Sequence, residues 1–175
     1  MMRVIGGIYR HRQLKYLSDD LTRPTSDRIR EAVFSALGNQ VNNKTVLDLF
    51  AGSGAMGIEA LSRGAEKATF VDIRKEAINI ISENLKSLGI TAEVIKSNYQ
   101  AFLNKENLDQ YDLIFLDPPY AFQQLSSLLE TLCVKVNKDA IFVIEVNHQH
   151  DFSSFNFKKI REYKYSDKFI YIIGR

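Results

Sequence analysis

The stretch Thr45-Val46-Leu47-Asp48-Leu49-Phe50-Ala51-Gly52-Ser53-Gly54-Ala55-Met56-Gly57 decides the fold. Its first six residues are mostly β-branched and aliphatic, the signature of a strand buried on both faces. The three glycines that follow mark a tight turn into a helix. A buried strand that runs through a glycine turn into a helix opens a parallel α/β unit. In such sheets, ligands bind beyond the carboxyl ends of the strands.

Outward from this stretch the alternation continues. The first helix is expected to run to about Arg63, with Gly64 as its C-cap. Lys67–Asp72 reads as the second strand, Lys75–Leu88 as a helix closed by Gly89, and Ala92–Lys96 as the third strand. The apolar run Tyr111-Asp112-Leu113-Ile114-Phe115-Leu116, ending at Asp117, is the fourth. A helix over 122–134, a strand over 140–146 and final strands over 156–163 and 168–173 complete the pattern. Strands alternating with helices predict an α/β fold: a doubly wound, mostly parallel, seven-stranded Rossmann-like sheet covered on both faces.

Before that core lies an annex. Arg3–Gly7 and Gln13–Leu17 are strand candidates around the basic Tyr9-Arg10-His11-Arg12, a β-hairpin pattern. Arg23-Pro24-Thr25-Ser26-Asp27 offers Thr, Ser or Asp as a helix cap. Ile29, Ala32, Val33, Ala36 and Leu37 then fall on one helical face that ends at Gly38. Arg28 and Arg30, near the start of that helix, are expected to face solvent. The expected division is an annex over residues 1–38 and a core over 39–175.

Composition is that of an ordinary globular chain: 175 residues, 45 % hydrophobic and 25 % charged. A chain of this length buries about 70 % of its unfolded surface and needs neither disulfide nor metal to hold it. The lone Cys133 fits a reducing compartment. No apolar run approaches a membrane span and the first residues lack the apolar core of a signal peptide, so a cytoplasmic, non-membrane monomer is expected. The net charge of +2 hides an asymmetry, because residues 1–30 hold seven Lys/Arg against three Asp. Basic charge gathered at one end is the electrostatic footprint of a polyanion partner, and a solvated surface hairpin is its plain alternative. Lys158, Lys159, Arg161, Lys164 and Lys168 read as a charged edge strand. His148 and His150 lack a supporting Cys or carboxylate array, so no metal site is expected.

The strand ends carry the chemistry. Asp48, the Gly52–Gly57 turn, Asp72, Asn98 and Asp117-Pro118-Pro119-Tyr120 all fall at or beyond the carboxyl ends of the first four strands, where they would line one crevice. Gly52, Gly54 and Gly57 satisfy G-x-G-x-x-G, and Asp72 lies 20 residues beyond Gly52, able to accept both ribose hydroxyls of an adenosine-containing ligand. That pattern also fits a dinucleotide. Asp48, immediately before the turn, would oppose a pyrophosphate but suits a cationic ligand with an α-amino group and a sulfonium. It favours S-adenosylmethionine. Ile73 and Phe102 could flank an adenine ring. Asn98 could bond its edge or cap the helix that follows.

Asp117-Pro118-Pro119-Tyr120 suits the holding of a planar base by its exocyclic amine. The amine of guanine or adenine is a poor nucleophile because its lone pair is delocalised into the ring. A carboxylate (Asp117) and a fixed carbonyl (Pro118) accepting its two protons would favour a pyramidal nitrogen aligned with the methyl donor. Tyr120 could stack on the base, a contact worth roughly 1–3 kcal/mol.

On these residues the chain resembles the bacterial RsmD-type methyltransferases, which methylate the N2 amine of a guanine in small-subunit (16S) ribosomal RNA. The resemblance rests on Arg3-Val4-Ile5-Gly6-Gly7, Arg23 to Ala32, Leu47 to Gly54, Glu59 to Ala65 and Phe115 to Tyr120. It implies cofactor contacts from Asp48, Phe50, Ala51, Gly52, Ser53, Gly54, Asp72, Ile73 and Asn98, and engagement of the target guanine by Asp117, Pro118, Pro119 and Tyr120. It also implies RNA contacts from Arg3, Arg10, Arg12, Arg23 and Arg28, and action on an assembling 30S particle. Asn98 stands where Asp is common, Asp72 where Glu is common, and Ser166 where Gly usually follows. A DNA adenine-N6 methyltransferase would use the same amine clamp but would need a target-recognition region for reading duplex sequence, which neither the annex nor the carboxyl-terminal strands is expected to supply. A non-catalytic RNA-binding factor and an NAD-dependent oxidoreductase are the remaining readings.

Overall fold

The computed structural model describes residues 2–17, 27–119 and 121–175. The expected Rossmann-like α/β architecture is present. Strands β3 (Thr45–Asp48), β4 (Lys67–Asp72), β5 (Glu93–Lys96), β6 (Leu113–Leu116), β7 (Ile141–Val146), β8 (Lys159–Tyr165) and β9 (Lys168–Gly174) form one seven-stranded sheet in the order β5-β4-β3-β6-β7-β9-β8. The first five are parallel; β9 runs antiparallel to both β7 and β8. The chain steps from β3 outward to β5, then returns to β6 on the other side of β3. The order therefore reverses between β3 and β6, and a crevice opens beyond their carboxyl ends.

Helices α2 (Ala55–Ser62), α3 (Lys75–Leu88), α4 (Tyr99–Lys105) and α5 (Leu125–Lys135) make the crossovers. β4 and α3 keep the bounds expected from sequence, because Gly89 adopts φ 68° and stops α3 where the apolar periodicity ends. Two apolar layers flank the sheet, and alternate residues of one strand feed both. Val46 joins the layer with α1 (Asp27–Leu37), while Leu47 joins the layer with α5. Helix α1 buries Ile29, Val33, Phe34 and Leu37, and Phe34 packs against Phe115 of β6 with ring centroids 5.7 Å apart. Each such ring contributes on the order of 3–5 kcal/mol, the usual loss on truncating a buried aromatic to Ala.

The amino-terminal hairpin exists but is shorter than expected, with β1 (Met2–Arg3) pairing β2 (Gln13–Leu14) antiparallel. The pairing stops because the backbone of Ile5 and Gly6 turns to α2. Both amide N–H groups donate to the buried Glu59 carboxylate, at 2.7 and 2.8 Å. The Tyr9 N–H donates to Ser62 Oγ at 3.0 Å, and Ser62 Oγ donates to the Gly6 carbonyl. The cap expected at Thr25 or Ser26 lies outside the described residues; Asp27 opens α1.

Two side chains depart from expectation. Arg30 is 0 % exposed rather than solvent-facing, because its Nη2 donates to the Arg3 carbonyl at 2.6 Å and to Asp27 Oδ1 at 2.8 Å. Burial holds its pKa below the ordinary guanidinium value, with Asp27 and Glu59 opposing. Lys168 does not belong to the charged edge: it opens the inner strand β9 and is buried as an ion pair with Glu145 of β7. The edge is β8, where Lys159 and Lys164 are exposed. Phe102, expected to flank an adenine ring, is buried in the α5-side layer with Leu47 and Val71.

Candidate active site

The parallel register places the chemistry-bearing residues side by side. Asp48 pairs with Phe115 across β3 and β6, so Asp117 follows the neighbouring strand end two residues later. Asp48 also pairs with Phe70 across β3 and β4, so Asp72 stands two residues beyond it on the other side. Pairing of Asp72 with Lys96 brings Ser97 and Asn98 to the far flank. The sequence-predicted residues thus gather along one rim, from Asn98 through Asp72 and the glycine turn to Asp117.

The glycine turn is held by these acids. Asp72 Oδ2 accepts the Gly52 N–H at 2.9 Å, and Oδ1 accepts the Arg74 N–H at 2.9 Å and Arg74 Nε at 3.3 Å. Asp48 Oδ2 accepts the Gly57 N–H at 3.0 Å. Gly54 carries φ 77° as N-cap of α2, a conformation that costs L-residues roughly 1–2 kcal/mol. Gly57 has a different role: an added Cβ would overlap the Phe70 ring, so this glycine lets α2 lie close on β4.

Asp48 is 3 % exposed, and its carboxyl is pushed up to about 7. Burial is the main cause; the Gly57 bond opposes it and the neighbouring charge of Asp72 adds to it. Such a carboxyl is held at the edge of ionisation and becomes anionic readily when a cation approaches. Arg74 Nη2 also reaches Asp72 Oδ2, at 3.5 Å. A Cβ built on Gly52 would meet only Arg74 Nη2 within 4.0 Å, so the turn presents an open backbone cradle.

Ile73 follows Asp72 and is 62 % exposed, an uncovered apolar residue beside a carboxylate. Asn98 is the helix cap of α4, its side-chain oxygen accepting the Ala101 N–H at 2.8 Å. Phe50, half-buried, forms an aromatic corner with Tyr99 and Phe122 at centroid separations of 5.4 to 5.8 Å. Sequence reading missed Tyr99 and Phe122; their signal was position, one after Asn98 and the other just past the Asp-Pro-Pro-Tyr motif. A carboxylate for vicinal hydroxyls, an exposed aliphatic side chain, an aromatic corner and a titratable buried acid together fit a nucleoside-bearing cationic ligand such as S-adenosylmethionine.

On the β6 side, Asp117 is half-buried, Pro118 is buried and Pro119 is exposed. The Pro119 carbonyl accepts the Phe122 N–H at 2.8 Å and closes the turn. Tyr120 and Arg23 lie outside the described residues. In the annex, Arg10 and Arg28 are exposed, Arg3 pairs with Asp27 at 3.3 Å, and Arg12 Nη2 donates to the Ser87 carbonyl at 2.9 Å. No helix among the described residues is long and apolar enough to cross a membrane.

Comparison with known proteins follows the same lines. The pattern of the family described as "Conserved hypothetical protein 95" matches residues 2–174. Ribosomal RNA small subunit methyltransferase D of Haemophilus influenzae is 39 % identical over 136 residues, covering 75 % of this chain and 70 % of that protein. A Bacillus subtilis protein named "Putative rRNA methyltransferase YlbH" is 43 % identical over 132 residues, covering 73 % and 72 %. A solved structure titled "Putative methyltransferase yhhF from Escherichia coli" superposes with TM-score 0.87 at 30 % identity, covering 99 % of this chain and 97 % of the other. The crevice residues, the family match along nearly the whole chain and these relatives agree: the chain belongs to the Conserved hypothetical protein 95 family, that of the ribosomal RNA small subunit methyltransferase D proteins.

Proposed function

We propose that this chain transfers a methyl group from S-adenosylmethionine to the exocyclic N2 amine of a guanine in small-subunit ribosomal RNA, on the assembling 30S particle. One observation carries the reading. The strand order reverses between β3 and β6, and there the glycine turn with its paired acids adjoins the Asp117-Pro118 strand end. A methyl-donor cradle beside an amine clamp is the arrangement that amine methylation needs. The relatives' names point to ribosomal RNA as the substrate class.

The bound cofactor supplies an electrophilic methyl on its sulfonium. Asp72 would accept ribose hydroxyls, and Asp48 would balance the cation. Asp117 and the Pro118 carbonyl accept the two amine protons, which draws the nitrogen lone pair out of conjugation. Transfer of the methyl from sulfur to nitrogen would leave a surplus proton on nitrogen, and Asp117 is the residue that would take it. Fixed acceptors of this kind contribute on the order of 10²–10³ in rate each. The Pro119 carbonyl is engaged by the Phe122 N–H in the turn. Tyr120 is assigned to stacking on the base. The annex is assigned to RNA phosphate, through Arg3, Arg10, Arg12, Arg23 and Arg28; Arg3, Arg10, Arg12 and Arg28 are exposed.

The test is Asp117→Ala. Methyl transfer to small-subunit particles is expected to vanish while S-adenosylhomocysteine binding by calorimetry persists. Normal turnover by that variant would overturn the clamp.

A further inference from the structure

We propose that Asn84 makes the annex part of the support of the cofactor turn, so that the state of the annex sets the affinity for the nucleoside ligand. Asn84 lies on α3 and is 2 % exposed. Its side-chain oxygen accepts the Lys15 N–H at 2.8 Å, and its Nδ2 donates to the Lys15 carbonyl at 2.9 Å. Lys15 immediately follows β2. The other Nδ2 hydrogen is directed to the carbonyl of Ser53 at 3.0 Å. Ser53 is the central residue of the turn whose neighbour Gly52 is held by Asp72. One buried amide therefore spans annex and cofactor turn with both donors used.

A second contact joins the same two parts, because Ser53 Oγ donates to Met2 Sδ of β1 at 3.4 Å. The turn is thus touched from both annex strands. Around it, Lys15 Nζ pairs with Glu83 and Arg12 with the Ser87 carbonyl, and both partners are on α3. A buried amide side chain that loses one partner is left with an unsatisfied group or must rotate to find another. Either outcome would release Ser53. Coupling through a shared element is reciprocal, so the factor by which RNA at the annex changes cofactor affinity is the factor by which cofactor at the turn changes RNA affinity.

The identity of the two ligands rests on the proposed function, but the linkage can be tested with one. Lys15→Pro in the full chain removes the N–H that Asn84 accepts and leaves the crevice untouched. Lys15→Ala removes only the Nζ pair with Glu83 and serves as the control. S-adenosylhomocysteine titrations are expected to show affinity weakened by about 5-fold or more in Lys15→Pro, with Lys15→Ala close to the parent chain. In turnover, the cofactor KM rises while kcat at saturation holds, a split that a general folding defect would not produce. Asn84→Asp keeps the acceptor for Lys15 and loses both donors, and it gives the same result if Lys15→Pro does not fold. Equal affinity in all variants would overturn the linkage. Failure of the parent chain to bind S-adenosylhomocysteine would instead overturn the proposed cofactor.

Discussion

Asp48→Asn isolates the cost of keeping a carboxyl where this fold keeps it. The side chain is buried, and its carboxyl is raised from 3.8 to about 7 by that burial, with the Asp72 charge adding to the effect. The folded state therefore binds a proton that the unfolded chain releases near 3.8, and stability must fall as pH rises between those values. From about pH 5 to about pH 8 the change covers roughly two pKa units, or about 3 kcal/mol at 1.36 kcal/mol per unit. Asn can still accept the Gly57 N–H but carries no proton to lose. Urea unfolding across that range should show the parent chain losing about 3 kcal/mol relative to Asp48→Asn as pH rises. S-adenosylmethionine should narrow the difference at the alkaline end, where its cation meets an ionised Asp48. Parallel pH profiles for the two proteins would refute both the buried acid and its role toward the ligand.

Other perturbations test separate parts of the structure. Gly57→Ala should destabilise by about 1–3 kcal/mol in thermal or urea unfolding, because the new methyl meets the Phe70 ring. Ser166→Gly should stabilise by about 1 kcal/mol, since Ser166 holds φ 55° in the two-residue turn between β8 and β9. Replacing Arg10, Arg12 and Arg23 with Gln should weaken RNA binding and flatten its salt dependence by close to one unit of slope for each phosphate that is no longer neutralised. An unchanged slope would remove the annex from the RNA interface.

What could be read from sequence divides along physical lines. β4, α3 and the crossover order were legible because their signals are local: buried apolar runs, 3.6-residue periodicity, and glycines where a left-handed residue ends a helix. The rim of the crevice was legible because in a parallel sheet a residue's place at a strand end fixes its place in space. Asn98 carried two local readings, and its side-chain oxygen is used by the helix cap. Glu59, Asn84, Arg30 and Lys168 were not legible as buried residues. Each is charged or amide-bearing and looks solvent-facing in its own segment. For each, a partner that buries it lies 23 to 69 positions away: Glu145 for Lys168 and Lys15 for Asn84, with Gly6 for Glu59 and Arg3 for Arg30 between those extremes. The short hairpin has the same cause, since Ile5 and Gly6 exchange ladder bonding for Glu59.

The central claim, methyl transfer to guanine N2 in small-subunit RNA, has one direct measurement. Small-subunit particles from cells deleted for this gene would be incubated with the purified protein and S-adenosylmethionine labelled in its methyl group, and the RNA digested to nucleosides. Label is expected in N2-methylguanosine at a single site that is unmethylated in the deleted cells. Label in N6-methyladenosine, or none in RNA while the protein binds the cofactor, would contradict it.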